Sequence, residues 1–135
     1  MSNPGNAQPI SAKFGFVKII VNDLDRALDF YGRVLGLKVV QTIDRPNLAE
    51  KLLASPGAEA GPFLVLYFDK GGRKITIGNG WGPLGFMVSD VDAVYALALS
   101  LGGKASRPPF DYEDIRVAYF RDPEDHEVEI VSRGL

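Results

Sequence analysis

A five-residue stretch, Val21-Asn22-Asp23-Leu24-Asp25, returns later in the chain as Val88-Ser89-Asp90-Val91-Asp92, and no other feature restricts the fold as much. Asp23 and Asp90 stand 67 residues apart, and each precedes a glycine by 13 residues, Gly36 and Gly103. An apolar run leads into each copy, Phe16 to Val21 and Leu84 to Val88, and strand-like segments follow each glycine. Matching starts and stops mark two copies of one unit, built as strand, helix and further strands. Both copies fit one core at 135 residues, because a single core accommodates roughly 100–200 residues. The expected organisation is a loose polar tail over residues 1–12 and one domain over 13–135, with modules at about 13–78 and 83–133.

Within the first copy, Phe14 to Val21 is rich in aromatic and β-branched residues, which suits a pleated, half-buried strand with alternating faces. Val17, Ile19 and Val21 share one face, and Phe14, Phe16, Lys18 and Ile20 the other. Asn22 or Asp23 caps a helix whose stripe is Leu24, Leu28, Tyr31 and Leu35, and Gly36 stops it. Leu37 to Thr42 reads as a strand, Arg45 to Ser55 as a short amphipathic helix, Pro62 to Asp69 as a strand and Arg73 to Ile77 as another. Gly78 to Pro83 breaks all periodicity and is the expected hinge.

The second copy repeats the plan, with a helical stripe at Val91, Val94, Ala98 and Leu101 closed by Gly102-Gly103. Arg107 to Tyr112 reads as a loop, since Pro108 and Pro109 offer no N–H to a ladder. Arg116 to Phe120 and Glu127 to Val131 read as strands around the turn Arg121 to Asp125. Helices packed on a sheet built from two like halves make an α+β layer architecture.

Composition restricts function only broadly. A net charge of −2 supplies no cationic stripe for nucleic acid, and no apolar run reaches the roughly 18 residues of a membrane span. The chain has no cysteine, which removes disulfides, thiolate nucleophiles and Cys-ligated metals. Met1 to Ala12 does not resemble a secretory signal, so the cytoplasm is the expected location. Gly78-Asn79-Gly80 is not a phosphate cradle, because no helix start follows closely and no Lys-Ser/Thr pair is present.

The run from Val21 to Tyr31 with Val34-Leu35-Gly36-Leu37, and the run Phe120-Arg121-Asp122-Pro123 leading into Glu127 to Ile130, resemble the vicinal oxygen chelate superfamily. That superfamily includes glyoxalase I, bleomycin-resistance proteins and extradiol dioxygenases, and the likeness runs from Phe14 to Val131. It implies two tandem βαβββ modules forming a curled mixed sheet around a cavity, with helices on the outer face and commonly a homodimer. Metal-using members are expected to carry four ligands on the concave face. The positions implied here hold Phe16, Pro83, and Val65 or Tyr67, leaving only Glu129 as a donor. One carboxylate does not hold a catalytic divalent ion, so no cofactor is expected unless that positional assignment is wrong. His126, the sole histidine, is expected to be a turn residue diverging from Glu129, since residues three apart in a strand face opposite ways.

The expected cavity carries Phe16, Lys18, Val65, Tyr67, Met87, Glu127 and Glu129, with Trp81 as a stacking lid, a core plug or part of a dimer seam. Such an apolar lining with a few charges suits a small aromatic or aliphatic ligand with polar handles. Lys18 is expected either to pair with Glu129 in place of an ion or to extend unpaired to the rim. Tyr112, Asp111, Glu113 and Asp114 form either a rim loop or a solvated one, and the Arg45 to Ser55 leucines either line or cover the cleft. The leading function is metal-independent binding of a small organic ligand. The alternative is a glyoxalase-type lyase or isomerase with Glu129 as general base and Lys18, Arg116 or Tyr67 steadying an oxyanion. A third reading is a non-catalytic subunit that only dimerises.

Overall fold

The computed structural model describes residues 10–133. Its first half runs β1 (Phe16–Val21), α1 (Leu24–Leu35), β2 (Lys38–Asp44), β3 (Leu48–Ala54) and β4 (Phe63–Asp69). Its second half runs β5 (Leu84–Met87), α2 (Val91–Ser100), β6 (Lys104–Tyr112), β7 (Ile115–Arg121) and β8 (Glu127–Arg133). The strand orders are β1-β4-β3-β2 and β5-β8-β7-β6, so the repeat is exact at the level of topology. In both sheets the first and last strands of the module pair in parallel, and the remaining pairs are antiparallel. The tandem βαβββ plan expected from the sequence is therefore present, as two sheets that do not close on one another. Of the tail, residues 1–9 lie outside the described residues.

The repeated aspartates start both helices. Asp23 accepts from the Arg26 N–H and Asp90 from the Ala93 N–H, each at 3.0 Å, satisfying a donor that has no partner inside the helix. Gly36 takes φ 70° and ends α1 in the left-handed conformation.

Three expected elements are corrected. The segment read as a helix over Arg45 to Ser55 is strand β3, and it lies between β2 and β4. Its leucines permit a helical stripe, but two neighbouring strands satisfy its backbone groups on both sides. Arg73 to Ile77 is not a strand, because β3 already completes the four-stranded sheet. The prolines of the expected loop lie in β6, an edge strand paired only with β7. Its register skips from Arg107 to Phe110, so neither proline has to donate to the ladder.

One apolar core joins the modules, combining Ile19, Val21 and Leu66 of the first sheet, Phe30 and Tyr31 of α1, Ala98 of α2, and Phe120, Val128 and Ile130 of the second sheet. The Phe30 and Phe120 rings meet edge to face with centroids 6.0 Å apart. The helices thus cover the core side of each sheet, and the opposite sides stay open. No helix among the described residues is long and apolar enough to cross a membrane.

Candidate ligand-binding face

Strand alternation assembles the first half of the site. Lys18 is registered with Val65 and Val65 with Leu52, while Ile20 is registered with Tyr67 and Tyr67 with Glu50. These side chains share the face turned away from the helices, and Ile19 and Val21 face the core, as the sequence led one to expect. Lys18 Nζ lies 2.6 Å from Glu50 Oε2, and 5.6 and 5.5 Å from the centroids of the Phe16 and Tyr67 rings. Lys18 therefore pairs with Glu50, neither with Glu129 nor with nothing. Glu50 is only 6% exposed. The 2.6 Å contact is a charge-assisted pair in which the Lys18 ammonium compensates this buried carboxylate.

The second half follows the same rule. Gly85 is registered with Glu129 and Glu129 with Tyr119, and Met87 with Val131 and Val131 with Val117. A hollow of about 390 Å³ on this face is lined by Arg107, Phe110, Tyr112, Tyr119 and Glu129 among others. The Arg107 guanidinium lies 4.3 Å from the Phe110 centroid and 5.5 Å from that of Tyr119. Burial, and then the charge and hydrogen bond of Glu129, push the Tyr119 phenol above its ordinary value. Phe16 is 53% exposed and Met87 70%, whereas Val65 and Glu50 are buried on the same face, so the face is open only in part and Val65 is not available to a ligand in one chain.

Other expected site residues lie elsewhere. Arg116 is registered with Ser132, three positions from Glu129, and so occupies the opposite side of the sheet. Two oxygens of Asp92 at 2.7 and 2.9 Å and one of Asp111 at 3.0 Å occupy its guanidinium. Asp114 lies 3.4 Å from Arg133, so two acids of the expected rim loop are ion-paired. Trp81 is 89% exposed and does not plug the core. The β3 leucines are parts of the sheet, which removes the mobile helical cover imagined for them.

His126 stands at the β7–β8 turn as expected, but it has a defined partner. Its Nδ1 lies 2.9 Å from Asp122 Oδ2, and the Tyr31 hydroxyl donates to the same oxygen at 2.7 Å. Burial alone would lower the His126 pKa, but the hydrogen bond and charge of Asp122 outweigh it and the net shift is upward. Burial would raise the Asp122 carboxyl, and His126 with Tyr31 outweighs that, so its net shift is downward. Glu124 accepts from the Asn22 and Asp23 N–H groups at 2.6 and 2.9 Å. This turn locks the second module onto the start of α1, on the core side of the sheet.

The donor set does not suit a divalent ion. At the positions the resemblance implies, Phe16 and Val65 carry no ligand atom, Tyr67 offers only a phenol, and Pro83 has none in its side chain. Among the described residues no three His, Cys, Asp or Glu side chains gather closely enough to hold a metal.

Comparison with known proteins decides the family. Residues 13–130 match the model described as the Glyoxalase/Bleomycin resistance protein/Dioxygenase superfamily. The chain belongs to this superfamily. A probable chloroplastic lactoylglutathione lyase of Arabidopsis thaliana is 33% identical over 120 residues, covering 84% of this chain and 34% of that protein. Another plant relative, the lactoylglutathione lyase GLX1 of the same species, is matched over 44% of its length, so the chain spans less than half of these superfamily members. A probable lactoylglutathione lyase of Synechocystis is 29% identical, covering 84% of this chain and 90% of its own. The glyoxalase I of Leishmania major superposes with a TM-score of 0.78 at 25% identity, covering 90% of this chain and 87% of that one. A glyoxalase family protein of Bacillus cereus reaches 0.81 at 17% identity over 94% and 97% of the two chains, which speaks for the fold alone.

Proposed function

We propose that this superfamily member binds a small aromatic or aliphatic organic ligand on the open sheet faces, without a resident metal. The observation that carries the reading is the lining: an exposed ring at Phe16 and half-buried rings at Tyr67, Phe110 and Tyr119, each close to a cationic side chain. Flat apolar surface with few polar handles is the chemistry of an organic-ligand pocket. A second copy of the chain is the natural cover for faces this exposed, so the functional unit is a homodimer with Met87 and Trp81 at or near its seam. The cytoplasmic location belongs to the same proposal and rests on the sequence alone. Native mass spectrometry with elemental analysis tests it, the expected result being a dimer with an organic mass and substoichiometric metal. One tightly held divalent ion per chain refutes the metal-free reading.

A second reading is favoured by the pairing of Tyr119 with Glu129 across β7 and β8 together with relatives named lactoylglutathione lyase. In it Glu129 is the general base of a glyoxalase-type lyase or isomerase, and the charge that develops on substrate oxygen is met by Lys18. Turnover of lactoylglutathione by the wild type, abolished in Glu129→Gln, selects this reading.

A further inference from the structure

The Lys18 and Glu50 pair is poorly explained as a stabilising device. Glu50 sits between Leu48 and Leu52 on its side of β3, and a leucine there would fill the same space without taking a charge from water. Even fully buried ion pairs are often replaced by apolar residues with no loss of stability, and here only the Glu50 side is buried. The pair does hold a cation at a fixed point. Glu50 lies behind it with its side chain 8% exposed, while that of Lys18 is 41% exposed toward the open face. Phe16 and Tyr67 stand beside the ammonium with their ring centroids 5.6 and 5.5 Å away.

The geometry of the contact matters as much as its length. An ammonium has three N–H donors, and Glu50 Oε2, 2.6 Å away, engages one of them. The ion pair fixes where Nζ stands and leaves two donors for a ligand on the open face. We propose that Lys18 is the ligand's oxygen receptor, donating to a carboxylate or carbonyl oxygen on a flat apolar body laid against Phe16 and Tyr67. Glu50 is then a positioning residue that touches no ligand. The inference rests on the open-face reading above and deepens it by naming the ligand chemistry and the atom that meets it.

The test measures dissociation constants by ligand-observed NMR on the full chain, with benzoate, acetophenone and toluene as probes of nearly equal shape. Benzoate and acetophenone are expected to bind wild type at least about tenfold more tightly than toluene, the value of one hydrogen bond to a charged donor. Which of the two binds better tells a charged oxygen from a neutral one. In Lys18→Met all three are expected to bind alike, and Lys18→Arg is expected to restore the preference in part. Glu50→Gln is expected to weaken both oxygenated probes while leaving toluene unchanged, a selectivity that a merely structural role would not produce. If Lys18→Met fails to fold because Glu50 is left unpaired, Lys18→Met/Glu50→Leu removes both charges and takes its place. Equal binding of all three probes to wild type overturns the Lys18 inference and leaves the apolar-ligand reading standing. No binding of any probe to the folded wild type overturns both.

Discussion

Removing the Asp122 carboxylate should unlock the two modules from each other. This side chain is 2% exposed. It accepts from the Tyr31 hydroxyl at 2.7 Å, His126 Nδ1 at 2.9 Å, the Glu124 N–H at 2.8 Å and the His126 N–H at 3.0 Å. Asp122→Ala leaves these donors buried without their acceptor, and breaking a buried charged pair in this way costs about 3–5 kcal/mol. Tyr31→Phe deletes a single hydrogen bond to the same carboxylate and should cost about 1.5–3 kcal/mol. At roughly 3 °C per kcal/mol for a domain of this size, the melting temperatures should fall by about 9–15 °C and 5–9 °C.

The pH dependence carries a definite sign. The folded-state pKa of His126 is raised, so its contribution is complete below its unfolded value of roughly 6.5 and disappears as pH climbs through the folded value. The pKa of Asp122 is lowered, so its contribution is complete above roughly 3.9 and disappears as pH falls through its folded value. The gap between wild type and Asp122→Ala in urea melts should be widest near pH 5 to 6 and narrow by pH 9. A gap below about 1 kcal/mol, or one that is the same at pH 5.5 and pH 9, would refute the lock.

Three further predictions bear on other parts of the molecule. Gly103→Ala would place a Cβ 2.7 Å from the Ala98 carbonyl oxygen and 3.2 Å from that of Arg121, both backbone, so it should cost about 1–3 kcal/mol in chemical denaturation. Met87→Ser should change the stability of the isolated chain by less than about 0.5 kcal/mol because the side chain is 70% exposed, yet weaken self-association in sedimentation. An unchanged dimer would mean that Met87 is not in the seam. Glu124→Ala removes the acceptor of two backbone N–H groups at the entry to α1 and should cost about 1–2 kcal/mol, with helix signal lost at a lower temperature in circular dichroism.

The sequence alone determined the tandem plan, because its signals are local. The capping aspartate acts over a few residues and appears twice, while the matching stop holds only in part, since Gly36 caps α1 but Leu101 caps α2 with the left-handed Gly102 behind it. Alternation also placed Phe16, Lys18, Tyr67 and Glu129 on open sheet faces rather than in the core. Tertiary structure decided whatever depended on neighbours distant in the chain. Leu48 to Ala54 permits a helical stripe, and only pairing on both sides made it β3. That choice turned Glu50 toward Lys18, a partner no spacing could reveal because the two meet diagonally across β4. Arg107 stayed hidden for a related reason, since a proline-rich edge strand reads as loop until β7 is found beside it. His126 acquired its role only when Tyr31 came from the other module to share its carboxylate. Periodicity reports which way a side chain points, but what it meets there depends on how separate stretches of chain pack together.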